Sequence, residues 1–135
     1  MMIFQAIRGV FMDYGINVIE SSVTLCRLTG KYDRNVLKEA ISESYKRMEG
    51  LQSFHLLVDA KEVVQVFGPD LIRNETERIG IANRLISAFG HCKDVKIAAV
   101  VNREDINHFV QFLVKRKGIE LELFDNLMEA KKWIV

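Results

Sequence analysis

Two patterns alternate along the chain. Apolar residues three to four positions apart predict helices, and short, nearly continuous apolar runs predict strands. Near the amino terminus Ile3, Phe4, Ile7, Val10, Phe11 and Tyr14 fall at helical spacing, broken by Gly9, and predict a helix over residues 3–14. "INVIE" and "VTLCRLTG" are rich in β-branched residues and predict a hairpin joined near Ser21 and Ser22. Asp33 is a good N-cap for a helix that gathers Val36, Leu37, Ala40, Ile41, Tyr45 and Met48 on one side, with Gly50 after its end. Lys38, Glu39, Glu43, Lys46 and Arg47 form its wet face.

"FHLLVDA" and "VKIAAVV" are apolar almost throughout, as expected of parallel strands covered on both faces. Between them, Pro69 near a helix start and the stripe Ile72, Ile79, Ala82, Ile86 and Phe89 predict a long helix ending by Gly90. Asn102 with Asp105 resembles a capping box for a helix turning Ile106, Phe109, Val110 and Leu113 inward, and Gly118 stops it. "IELELF" predicts a strand, and Asn126 with Glu129 opens a last helix that buries Leu127, Ala130 and Ile134. A hairpin followed by α, β, α, β, α, β, α defines an α/β fold: one domain with a wound, mostly parallel sheet and crossover helices. The expected division is an amphipathic amino-terminal segment over residues 1–15 and the α/β domain over 16–135.

Composition narrows the function more than the fold. With 135 residues, 49% hydrophobic and 27% charged, the chain suits one soluble core. A net charge of +1 offers no broad basic face, so nucleic acid is not an expected partner. Cys26 and Cys92 lie far apart without a CxxC pair, which suits reduced thiols and a cytoplasmic protein. The opening "MMIFQAIRGVFMDYG" lacks a basic leader region, and no apolar run is long enough for stable membrane insertion. Without export, the glycosylation sequon "NET" at residues 74–76 should be inert.

In a parallel sheet, polar residues at strand ends collect along the carboxyl edge, where open α/β sheets bind their ligands. Asp59, Asn102, Arg103, Asp125 and Asn126 all follow the apolar runs. Asn102 and Asn126 also read as helix caps, and Asp125 as the start of a turn. Asp59 has no capping pattern behind it and is the leading site residue, with Arg103 as its nearest plausible opposite charge. Catalytic patterns fail on particulars. A phosphate-binding loop ending in Gly30 and Lys31 would need glycine where Leu25 stands. His55, His91 and His108 are scattered without metal-ligand spacing, and His91 beside Cys92 is too little for a nucleophile and base. No catalytic residue, metal or cofactor is therefore expected.

The segments "LTGKYDRNVLKEA", "LLVDAKEV", "KIAAVVN" and "LELFDNLMEAKKWI" resemble the SpoIIAA-like, or STAS-like, group of small bacterial domains. The resemblance spans about residues 16–134 and rests on a glycine after the second strand, an aspartate closing the next, and an acidic-alanine-aromatic ending. It implies the wound sheet shared with anti-sigma-factor antagonists and lipid-carrying CRAL-TRIO proteins, and a non-enzymatic role. Antagonists of that group carry a phosphorylated Ser or Thr after the strand ending in Asp. Here no Ser or Thr occurs between Ser53 and Thr76, so the phosphoswitch is expected to be missing. The apolar residues Val63, Val64, Val66 and Phe67 stand in its place, either as a lid on the core or as a surface for an apolar ligand or partner. The expected function is a regulatory module that binds another protein or a second copy of itself. The alternative is a domain for an apolar small molecule or lipid, with residues 63–67 and the amino-terminal segment bordering its cavity.

Overall fold

Ile19 and Val23 pair across a tight turn, Glu20–Ser22, in which Ser21 and Ser22 take left-handed φ values of 60° and 56°. This closes the predicted hairpin between β1 (Asp13–Ile19) and β2 (Val23–Lys31). The computed structural model describes residues 11–64, 75–103, 106 and 108–135. β2 leads through α1 (Arg34–Leu51) to β3 (His55–Val64), then α2 (Glu75–Phe89), β4 (Lys96–Val100), α3 (His108–Lys115), β5 (Glu120–Phe124) and α4 (Leu127–Ile134). The five strands lie in sequence order, β1 antiparallel to β2 and the other neighbours parallel. The α/β class and the mostly parallel sheet are as the apolar runs predict.

Right-handed crossovers between strands laid down in one direction place every crossover helix on the same face. Ala40, Ile41 and Met48 of α1, Ala82, Leu85 and Phe89 of α2 and Val114 of α3 accordingly share one core with Cys26, Leu56, Ile97 and Leu121. α4 covers the opposite face, where Ala130 and Ile134 pack on Val23, Leu57, Ala98 and Val100. Covered on both sides, β3 and β4 can be apolar at consecutive positions, which explains "HLLV" and "KIAAV".

Several boundaries differ from the expected ones. Tyr14 belongs to β1 rather than to a helix, while Ile3, Phe4, Ile7 and Val10 lie outside the described residues. Gly50 sits inside α1; the left-handed residue that ends it is Gln52, with φ 53°. Ile79 is exposed, and Ala82, Leu85 and Phe89 carry the buried stripe of α2. Asn102 precedes the first residue of α3 by more than a turn, so it does not cap that helix; Asp105, like Pro69 and Ile72, lies outside the described residues. Asp33 and Asn126 do cap: each side chain accepts two amide hydrogens from the first turn of its helix, at 2.8 and 3.2 Å.

Asp59 does not close its strand, because β3 continues to Val64. Arg27 pairs with Asp59 but Thr29 pairs with Glu62, so β3 carries one residue more than β2 between those points. Such a bulge reverses the alternation of side chains. Val63 therefore joins the core under α1 to α3, on the face opposite Asp59, and Val64 stands exposed on the strand. Neither is a loop residue, and Val66 and Phe67 lie outside the described residues. Gly30, near the end of β2, has φ +90°, and a Cβ there would come within 2.0 Å of the Phe11 carbonyl oxygen. Close backbone approach and a left-handed φ make glycine necessary at this point.

Candidate functional site

A strand order that never reverses has no crevice between oppositely wound halves. The cleft at the carboxyl edge arises differently, because α4 covers only part of its face. Over the bulged stretch of β2 and β3, beside the end of β4 and the start of α4, lies a cleft of about 530 Å³ bordered by Arg27, Asp59, Lys61, Asp125 and Asn126, with Val100 and Leu127 as apolar surface.

Register places the charges. Arg27 stands directly opposite Asp59 on the neighbouring strand, and its Nε donates to Asp59 Oδ2 at 3.3 Å. Asp59 Oδ1 accepts the Lys61 amide hydrogen at 3.3 Å, so the same carboxylate steadies the bulge. The Asp59 side chain is only 15% exposed, whereas Arg27 is 55% exposed. The expected Asp59–Arg103 pair is thus replaced by Asp59–Arg27. Arg103 instead pairs with Asp125, its Nε donating to Oδ2 at 2.9 Å. That hydrogen bond holds the Asp125 carboxyl below the ordinary carboxylate range, against the upward push of desolvation, with the charges of Arg103 and Lys61 adding to the lowering.

Lys61 joins the two halves. Displaced by the bulge, its ammonium donates to the Asp125 carbonyl oxygen, while its own carbonyl accepts a hydrogen bond from the Asn102 side-chain amide at 3.3 Å. Asp59, Asn102, Arg103, Asp125 and Asn126 therefore do gather at one edge, whereas Val63 faces away into the core. Sequence reasoning missed Arg27 and Lys61. Arg27, a charge within the otherwise apolar "TLCRL", was a usable signal; Lys61 depends on the bulge and had none.

Elsewhere the three histidines have separate settings. Tyr45 and His91 meet at 3.0 Å, His108 meets Gln111 at 2.8 Å, and His55 begins β3. Among the described residues no group of three or more His, Cys, Asp or Glu could hold a metal ion. Burial pushes both thiols up, Cys26 with the Ser44 hydroxyl opposing and Cys92 with the Glu49 charge adding to the rise. Among the described residues no helix is long and apolar enough to cross a membrane.

No protein-family model and no curated protein matches this sequence. Solved structures do. An anti-sigma factor antagonist from Mycobacterium paratuberculosis aligns over 92% of this chain and 94% of its own, at 13% identity and a TM-score of 0.58. An uncharacterized protein with a SpoIIAA-like fold from Shewanella loihica aligns over the same shares at 12% identity and a TM-score of 0.43. The chain therefore has the fold of an anti-sigma-factor antagonist, the SpoIIAA-like or STAS-like arrangement that its strand and loop residues resemble.

Proposed function

We propose that this chain is a non-enzymatic regulatory module that recognises another protein, or a second copy of itself, through the cleft at the carboxyl edge. The observation that carries the reading is the pair of ion pairs, Arg27–Asp59 and Arg103–Asp125, set around the apolar surface of Val100 and Leu127. Such a surface presents charges of both signs beside a small apolar patch, as the polar rim and apolar centre of protein interfaces do. It suits proton chemistry poorly. Asp125, held low by Arg103, stays ionised near neutral pH, whereas a general acid or base works best with a pKa near the operating pH. Thiols pushed up by burial stay protonated and weakly nucleophilic.

The likeness in fold to an anti-sigma factor antagonist supports reading the partner as a protein. Because no Ser or Thr lies between Ser53 and Thr76, recognition here works without a phosphate on that stretch. Affinity is set by the cleft itself. The direct test is cross-linking in cells of wild type and Asp59→Asn, with sedimentation of both purified proteins. Neutralising Asp59 should remove the cross-linked partner or the dimer while changing the melting temperature little, since asparagine keeps an oxygen to accept the Lys61 amide hydrogen and the charge is lost opposite an Arg27 that is itself 55% exposed. An unchanged set of cross-links and an unchanged sedimentation profile would remove the cleft as the recognition surface. A second reading, a domain for an apolar small molecule, draws on a cavity of about 150 Å³ on the other face of the sheet, beneath α1 and α2, walled by residues such as Val58, Leu85 and Leu123.

A further inference from the structure

Parallel strands gather their amino ends as well as their carboxyl ends, and the amino ends of β4 and β5 form a basic corner at the edge away from the cleft. Lys93 and Lys96 lead into and begin β4, Lys115, Arg116 and Lys117 end α3 and turn toward β5, and Lys132 lies in the last turn of α4. Side-chain contacts tie these positions together. Lys96 stands opposite Glu120 at the start of β5, and its ammonium lies over the Trp133 ring of α4, 4.6 Å from the centre. The Arg116 guanidinium lies over the ring of Phe112, 6.0 Å from its centre. The carboxylates on the same stretches, Asp94, Glu120, Glu122 and Glu129, are fewer, and among the described residues none comes within ion-pair distance of any of the six cations. In the cleft, by contrast, Arg27 and Arg103 each have a carboxylate partner. The net charge of +1 thus conceals a local excess of cations without carboxylate partners. Beside them Phe112 is 58% exposed, and Trp133 is half-buried.

We propose that this corner rests against a bilayer surface that contains anionic phospholipids, the cations meeting the charged headgroups and Phe112 entering the headgroup layer. Clusters of Lys and Arg are drawn to anionic leaflets, and the headgroup layer accepts aromatic side chains. Nucleic acid is the other polyanion, but a single strand binds by stacking its bases on free aromatic faces, and here a cation already lies over a face of each ring. The contact is peripheral and needs no helix that crosses the membrane. Attachment at the amino edge leaves the cleft at the carboxyl edge open to its partner.

The test is cosedimentation of the full chain with vesicles of phosphatidylcholine alone and of an equal mixture with phosphatidylserine. The protein should sediment with the mixed vesicles and not with phosphatidylcholine alone, and added salt should release it as screening grows. Arg116→Gln combined with Lys117→Gln should weaken binding about 25-fold, about fivefold for each charge removed. Phe112→Ser should weaken it while keeping its salt dependence. If the double variant does not fold, Lys93→Gln, in the exposed turn before β4, takes its place with a loss of about fivefold. Absence of sedimentation with the mixed vesicles, even where a mixed-sequence oligonucleotide binds instead, equal sedimentation with phosphatidylcholine alone, or binding indifferent to the charge substitutions or to Phe112→Ser would each overturn the proposal. Since the cleft lies at the other edge of the sheet, none of these outcomes bears on the protein-recognition reading.

Discussion

Asp59 and Asp125 face the same cleft but are held by different means. Asp59 answers to a residue directly across the sheet and to its own bulge, so its position is set by backbone register. Asp125 sits after β5, and Arg103, its partner, after β4. Its carboxyl is held low by the Arg103 hydrogen bond, so the folded state releases this proton more readily than the unfolded chain. The resulting stabilisation is present above the unfolded carboxylate value and is lost as pH falls through the depressed folded value. In Arg103→Gln the Asp125 titration, followed by carboxyl-carbon NMR, should move up toward the ordinary range. The stability difference between wild type and that variant should shrink on acidification. An Asp125 titration indifferent to Arg103→Gln would mean that the pair does not form in solution. Both acidic residues were visible in the sequence as strand-end carboxylates. Which arginine each one pairs with was not, because pairing across strands depends on a register that no local pattern encodes.

At the level of elements, caps were legible where they act locally. Asp33 and Asn126 bond amides two and three residues ahead, a relation contained in a few consecutive residues. Asp33→Ala should cost about 1 kcal/mol, speed amide exchange in the first turn of α1 and leave α4 unchanged, whereas Asp33→Asn should keep most of the stability. Equal melting temperatures for all three proteins would show that α1 is held by its apolar stripe alone. Asn102 matched the same spacing rule and failed it, since its amide is a donor to Lys61 on β3 and α3 starts later. The far end of β3 was misread for a related reason. Asp59 looks like a strand terminus until the bulge is known to carry the chain on to Val63 and Val64.

Across the whole molecule, one buried polar contact ties distant elements together. The Tyr32 hydroxyl donates to Glu77 Oε2 at 2.6 Å, and Arg34 meets the other oxygen at 2.7 Å, linking the end of β2 and the start of α1 to the first turn of α2. Burial and the Glu77 carboxylate push the Tyr32 phenol well up, so it remains a donor throughout the neutral range. Tyr32→Phe should cost about 1.5–3 kcal/mol, the loss of a buried hydrogen bond to a charged acceptor, and raise amide exchange in α2 above that in α1. Exchange that rises equally everywhere, or not at all, would mean that α2 does not depend on this contact. By itself the sequence determined the number and order of nearly all described elements, the two-sided burial of β3 and β4, and the caps of α1 and α4, because periodicity and capping are relations among near neighbours. Only the tertiary structure decided that α1, α2 and α3 share one face, that Asp59 belongs to Arg27, that Val63 is core, and that a cavity lies opposite the cleft. Each of these depends on strand register or on the packing of residues far apart in the chain, where one bulge reverses every side chain beyond it.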